Sequence, residues 1–278
     1  MAKNLITRIL TGIVFVSVIL AGILFGEYSF AFVFCLIEIL ALSEFYKLIE
    51  TSSKLKTNRL LNITGGFLLF SASFLYHAGI VNSTVIFLPY ACYFLILFIS
   101  ELYLKKENPI LSLGYSALGQ VYLALPFSLL NYLAFSYINQ YHYVYILALL
   151  VLIWVDDSFA YLTGVTMGKH KMFERISPKK SWEGFAGGAV CTILASLIFA
   201  HYFTEMPLWG WIGFALVVIA FGTWGDLVES LMKRTLNVKD SGNILPGHGG
   251  ILDRFDSMIM TIPALTVYLM IISLIRGI

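Results

Sequence analysis

"LALLVLIWVDDSFAYLTGVTMGKH", residues 147–170, sets two adjacent acids in an otherwise apolar run that ends on basic residues. A helix crossing the hydrocarbon core of a bilayer needs about 20 mostly apolar residues, and residues 143–166 supply them. Asp156 and Asp157 are then ionisable groups inside a membrane span. Such groups are expensive there and mark sites, ion pathways or pairs.

The same hydropathy recurs along the chain. Nine segments read as spans: 9–26, 28–49, 60–80, 84–104, 112–136, 143–166, 183–204, 208–235 and 253–275. The composition agrees, with 59% hydrophobic and 12% charged residues and a mean hydropathy of +0.85. A soluble domain carries about 25% charged residues. The fold class is therefore all-α, a polytopic integral membrane protein of about nine transmembrane helices. Ile9 to Phe25 has the make-up of a signal-peptide core, but further hydrophobic segments follow, so it is expected to be a retained first helix. The short connections leave no room for an inserted soluble domain. A net charge of +2 argues against a nucleic-acid partner. Cys35, Cys92 and Cys191 lie far apart in apolar segments and form neither a disulfide framework nor a metal-ligand spacing.

Basic residues set the orientation. Lys3 and Arg8 precede the first span, Lys47, Lys54, Lys56 and Arg59 follow the second, and Lys105 and Lys106 the fourth. Lys169, Lys171, Arg175, Lys179 and Lys180 follow the sixth, and Lys233, Arg234, Lys239 and Arg254 flank the loop after the eighth. Only Arg276 of the 18 Lys and Arg residues is left for the other side. The N-terminus and the loops after spans 2, 4, 6 and 8 are expected in the cytoplasm, in a cell inner membrane.

Acids converge on that side from three spans. In "ALVVIAFGTWGDLVESLMKRTL", residues 215–236, Asp226, Glu229 and Lys233 share one helical face, with Ser230 close to it. Span 9 opens with Asp253 and Asp256, again on one face. Ion pairing with Lys233, Arg234 and Arg254 would explain a single acid at a helix end, and helix capping would explain Asp253. Neither explains the convergence. Clustered carboxylates suit a hard cation such as Mg²⁺, which prefers oxygen ligands and keeps waters for phosphate. Glu38 and Glu44 in span 2, like Asp156 and Asp157, are left without an assigned role.

Two loops carry the remaining signals. "KDSGNILPGHGGILDRFDS", residues 239–257, alternates acids, bases and glycines up to the start of span 9. Glycines let a backbone turn its N–H groups onto a phosphate, and a helix N-terminus adds a positive dipole end. Lys239, His248 and Arg254 add donors. In "SPKKSWEG", residues 177–184, Ser181 is placed to cap span 7, with Lys179 and Lys180 where anionic headgroups arrive. Trp182 reads as an interfacial anchor or a stacking platform for a base.

These residues resemble a known family. "SLMKRTLNVKDSGNILPGHGGILDRFDS", residues 230–257, is similar to the signature of the phosphatidate cytidylyltransferases, through Ser230, Lys233, Arg234, Lys239, Asp240, His248, Gly249, Gly250, Asp253, Arg254 and Asp256. "DDSFAY" and "ISPKKSWEG" fit the same family, and the resemblance covers roughly 154–257. It implies transfer of a cytidylyl group from CTP to phosphatidic acid, giving CDP-diacylglycerol and pyrophosphate, with Mg²⁺; a second cation such as K⁺ is left open beside it. By this resemblance Asp226 and Asp253, then Asp256, are the metal ligands. Lys233, Arg234, Lys239 and Arg254 hold phosphates, and Lys179, Lys180 and Ser181 contact a substrate headgroup. Spans 6–9, residues 143–278, then carry the catalytic motif. Spans 1–5, residues 1–142, serve as scaffold or dimerisation surface, and a homodimer is one expected assembly.

The rival from another class is a secondary transporter with a cytoplasm-facing acidic site, although transporters place such groups near the midplane between repeats. A CTP-dependent transferase acting on another lipid phosphate would share the motif. A lipid-binding scaffold would leave the carboxylates unexplained.

Overall fold

A computed structural model describes residues 2–53, 55–137, 140–242, 244 and 249–276, with side chains from Ile9 onward. Helices make up nearly all of it: α1 (Ala2–Leu24), α2 (Glu27–Ser53), α3 (Arg59–His77), α4 (Leu88–Tyr103), α5 (Pro109–Gly119), α6 (Leu125–Phe135), α7 (Val144–Met167), α8 (Trp182–Tyr202), α9 (Leu208–Thr235) and α10 (Leu252–Arg276). A 3₁₀ turn, Thr84–Phe87, leads into α4, and a π turn, Gln120–Ala124, joins α5 to α6. The rods so formed match the nine expected segments. Among the described residues, seven of them are long and apolar enough to cross a membrane, and α1 adds the shorter apolar stretch Ile9–Leu24. α2 is not one of the seven.

The π turn precedes Pro126, which lacks an N–H and cannot close a normal helical hydrogen bond. Widening the turn by one residue absorbs that defect. Hydropathy reads the whole stretch as one span and does not see it.

Among the described residues the all-α expectation has one local exception, a short hairpin. Lys171–Phe173 (β1) pairs antiparallel with Ser177–Ser181 (β2) inside the basic loop. Both strands of a two-stranded hairpin are edges, so Pro178 is tolerated. The hairpin is tied down at its base. Trp182 donates its backbone N–H to the His170 carbonyl at 2.9 Å. Glu183, in the first turn of α8, accepts from the backbone N–H groups of Lys169 at 3.0 Å and His170 at 3.1 Å.

The chain forms two compact units. Unit 1 comprises 1–141 and 236–255, and unit 2 comprises 142–235 and 256–278. The boundary falls beside the expected 142/143 division, but segment 236–255, which holds most of the glycine-rich motif, packs with unit 1.

Unit 1 has an apolar core of Phe30, Phe34, Ala41, Leu42, Phe70, Leu123 and Phe127, with a polar seam through it. The Tyr46 hydroxyl donates to the Ser116 carbonyl at 2.9 Å, and Asn62 donates to Ser116 Oγ at 2.9 Å. The Tyr93 hydroxyl donates to Asn62 Oδ1 at 2.8 Å, and Gln120 donates to the Asn62 carbonyl at 2.8 Å. Helices in lipid gain no hydrophobic drive from packing on one another, so small residues and buried hydrogen bonds of this kind hold them together.

Unit 2 is built on α7 and α8. A Cβ on Gly184 would lie 2.7 Å from the Ala160 carbonyl oxygen and 3.2 Å from Gly164 Cα, so the two backbones touch where only glycine fits. At one end, Arg276 donates to the Glu205 carbonyl at 2.6 Å, and His142 lies 3.4 Å from the Glu205 carboxylate. Arg276, the residue set apart by the charge pattern, thus shares an end with the residues after spans 5 and 7, as alternating spans require.

Candidate active site

Unit 2 contains a cavity of about 560 Å³, within the range of ligand pockets. Asp156, Asp157 and Asp226 line it beside Lys179, Lys180 and Ser181. Its remaining wall is mostly small or apolar and includes Tyr161, Met172 and Phe185.

Local structure explains how these groups meet. Asp156 and Asp157 sit on α7 one turn before Ala160 and two turns before Gly164, and α8 packs closely along this stretch, a Cβ on Gly188 falling 2.9 Å from the Asp156 carbonyl oxygen. Ser181 caps α8, accepting from the Gly184 N–H at 3.1 Å, as its position before span 7 predicts. That cap fixes the end of β2 and sets Lys179 and Lys180 at the cavity rim. Lys180 Nζ lies 2.7 Å from Asp226 Oδ2 and 3.4 Å from the Thr223 carbonyl. The Ser230 hydroxyl donates to Asp226 Oδ1 at 3.2 Å from one helical turn away. Asp156 is buried, with Oδ1 3.4 Å from the Thr192 hydroxyl.

The charges are crowded. Asp157 lies in the field of Asp226, and Asp256 in those of Asp226, Glu229 and Asp157. Lys180 acts on both Asp156 and Asp157. Among the described residues no three His, Cys, Asp or Glu side chains already close around a point as metal ligands. The donor chemistry nevertheless fits a hard cation. Every acid in the cluster offers oxygen, and mutual repulsion among carboxylates is what a bound cation relieves.

The other expected site residues fall in several places. Asp256 is half-buried, its Oδ1 accepting from the Ser257 N–H at 2.6 Å. Lys233 pairs at 2.7 Å with Glu229, four residues earlier on α9. Arg234, Lys239, Asp240 and Arg254 are exposed. His248 lies outside the described residues.

Asp253, Gly249 and Gly250 belong to unit 1. Asp253 Oδ2 accepts from the Ser241 N–H at 3.0 Å and the Gly250 N–H at 2.9 Å. Gly249 has φ +88°, a left-handed conformation that favours glycine. Trp182 is exposed and packs edge-to-face on Phe185 at 6.0 Å.

Three acids that sequence reading leaves unassigned acquire places. Asp156 and Asp157 line the cavity. Glu44 of α2 meets the motif segment: it accepts from the Ser241 hydroxyl, and its Oε2 accepts from the Ile251 N–H at 2.7 Å. Glu44 stands about 200 residues from its partners with no local motif. An acid in a span that calls for a partner is the only signal.

Comparison with known proteins places the chain in a family. The cytidylyltransferase family profile matches residues 6–272. A phosphatidate cytidylyltransferase of Bacillus subtilis (strain 168) is 35% identical over 268 residues, 93% of this chain and 95% of that protein. Phosphatidate cytidylyltransferases of Staphylococcus aureus (strain COL) and Staphylococcus epidermidis (strain ATCC 12228) are 48% identical over 126 residues, 45% of this chain. That match spans about half the length of the staphylococcal relatives, 48% of each. With a profile running through nearly the whole chain and a relative aligned over more than nine-tenths of both proteins, this membrane protein belongs to the cytidylyltransferase family.

Proposed function

We propose that the protein is a phosphatidate cytidylyltransferase of phospholipid biosynthesis, converting CTP and phosphatidic acid to CDP-diacylglycerol and pyrophosphate. The observation that carries this reading is the cavity in a membrane-spanning unit that sets Lys179 and Lys180 against Asp156, Asp157 and Asp226. A transferase joining a lipid phosphate to a nucleotide needs cationic and metal-holding groups within reach of the bilayer. The relatives' names and the signature at 230–257 point the same way.

The chemistry is a direct displacement. A phosphatidate oxygen attacks the α-phosphorus of CTP, the new P–O bond forms as the bond to the bridging β-phosphate oxygen breaks, and pyrophosphate leaves with that electron pair. Phosphatidate is already a phosphate nucleophile, so no enzyme nucleophile is required. Lys179 and Lys180 draw phosphates to the rim, and Lys180 leaves Asp226 for them as they bind. Mg²⁺, which Asp226 and Asp256 with Asp157 would hold, supplies charge neutralisation at the phosphates. For Asp253 the ligand role is proposed on the motif alone. Arg234, Lys239 and Arg254 hold further phosphate oxygens, on the same ground.

The site faces the cytoplasm of an inner membrane, on the strength of the basic-residue bias. Single cysteines at Met172 and Ile244, in a background lacking Cys35, Cys92 and Cys191, are expected to react with an impermeant thiol reagent only after cells are opened. Labelling from outside intact cells would reverse the topology. Self-association through the helices of unit 1 fits their lipid-facing apolar surface.

The deciding experiment gives purified protein labelled CTP, Mg²⁺ and a panel of lipid phosphates. Cytidylyl transfer to phosphatidate, with inversion at a chiral α-phosphorothioate, is the expected result. Transfer only to another lipid phosphate would move the assignment within the family. Retention with CTP–pyrophosphate exchange in the absence of lipid would replace direct displacement by a covalent route.

A further inference from the structure

We infer that Glu44 is a positioning residue for the transfer reaction, holding the two stems of the glycine-rich motif in register from α2; the inference rests on the proposed activity. Glu44 is buried, with 4% of its surface exposed. One carboxylate oxygen accepts from the Ser241 hydroxyl and the other from the Ile251 N–H at 2.7 Å. The motif is therefore gripped at both ends by a side chain that belongs to neither. A Cβ on Gly242 would come 2.5 Å from Glu44 Oε1, and one on Gly250 would run into the same oxygen and into Ser241 Oγ. These two glycines give way to the carboxylate.

Asp253 ties the same stems through the backbone N–H groups of Ser241 and Gly250. Two carboxylates thus share Ser241, one taking its hydroxyl and the other its N–H. Lys239 and Asp240 lie immediately before this clamp and Arg254 immediately after it, so its geometry fixes where those charged residues leave the backbone. Misplacing such groups by about 1 Å costs on the order of 100-fold in rate.

Geometry and charge are separable at this position. Gln at residue 44 retains an oxygen for the Ile251 N–H, and its amide donates to the Ser241 hydroxyl, which also accepts. Ala provides neither. Glu44→Gln is therefore expected to keep kcat/KM within about fivefold of the parent, while Glu44→Ala loses at least about thirtyfold. Ile251 amide exchange in detergent reads the clamp without reference to catalysis. It is expected to stay slow in the parent and Glu44→Gln, and to quicken by at least about tenfold in Glu44→Ala. Ser241→Ala, which removes a single contact, is expected to fall between the two and serves if Glu44→Ala does not fold.

Glu44→Gln as inactive as Glu44→Ala, with Ile251 still protected, would overturn the inference in favour of proton acceptance from Ser241. Full activity in Glu44→Ala, or in Ser241→Ala with Ile251 exchange quickened, would overturn it in favour of a purely architectural contact. A parent protein that transfers nothing to phosphatidate would remove the proposed activity instead, and the exchange measurement would still report the clamp.

Discussion

In unit 1, Glu44 and Asp253 meet neutral donors: backbone N–H groups at 2.7 to 3.0 Å and a serine hydroxyl. In unit 2, Asp156, Asp157 and Asp226 face a cavity, with Lys180 paired to Asp226 and a hydroxyl 3.4 Å from Asp156. The same residue type does two jobs. Short bonds to fixed backbone donors use a carboxylate's acceptor capacity to hold a chain in place. Crowding beside a cavity leaves negative charge to be answered by whatever enters. Number of acids alone does not separate Glu44 and Asp253 from Asp156, Asp157 and Asp226; the open cavity beside the latter does.

The contrast is broken most directly at Asp226. Asp226→Asn keeps the side chain's shape and removes the charge that pairs with Lys180. Turnover is expected to fall by at least about 100-fold, with the protein still folded and inserted in the membrane. Labelled-CTP incorporation and the elution profile in detergent measure the two. Activity within tenfold of the parent would mean that the cavity acids are as structural as Glu44.

The clamp is tested from the other side by Gly250→Ala. The added Cβ has no room beside Glu44 Oε1 and Ser241 Oγ, so a stem must move. Overpacking of this kind is worth about 1–3 kcal/mol. A lowered thermal midpoint is expected, together with a loss of activity of roughly 30-fold from displaced motif residues. A variant with unchanged melting would show that the stems yield freely and that Glu44 does not hold them.

Most of the fold was legible because the bilayer imposes length and apolarity on each span. The 17 Lys and Arg residues on one expected side made the loop alternation legible too. Within the site, Asp226, Lys179, Lys180 and Ser181 stood out because a charged or capping residue beside an apolar run is costly unless it pairs, caps or binds. What stayed hidden depends on tertiary contact. Glu44 looks like any acid in a span until Ser241 and Ile251 arrive from far along the chain. The hairpin at Lys171–Ser181 has strands too short for a period-two pattern, and Pro178 argues against one. Lys233 shows the converse. Helical spacing put it on a face with both Asp226 and Glu229, and it pairs with Glu229, one turn away on the same helix.

Lys180→Gln sharpens the comparison at a smaller scale. About a quarter of each side chain in the Lys180–Asp226 pair is exposed, so solvent weakens the pair and its loss is not expected to unfold unit 2. The missing cation is expected at the substrate instead, as a roughly tenfold rise in KM for a phosphate-bearing substrate with a smaller change in kcat. A drop in thermal midpoint without a change in KM would make Lys180 a structural partner of Asp226, like the donors around Glu44.

The smallest expected effect is at Thr192. Its hydroxyl lies 3.4 Å from Asp156 Oδ1, beyond the usual range for an O–H···O hydrogen bond, in contrast to the 2.7 Å bond from Ile251 to Glu44. Thr192 is fully buried, and Val has nearly the same shape, so Thr192→Val opens no cavity and removes only the hydroxyl. A hydrogen bond to a charged group contributes about 1.5–3 kcal/mol net at good geometry, and one this long contributes well below that. Activity is expected to stay within about threefold of the parent, with little change in thermal midpoint. If Thr192→Val instead lost tenfold or more in kcat at unchanged stability, the hydroxyl would be orienting Asp156 for the reaction. Asp156 would then be a held carboxylate lining the cavity, and the division between held acids in unit 1 and cavity acids in unit 2 would have to be redrawn inside unit 2 itself.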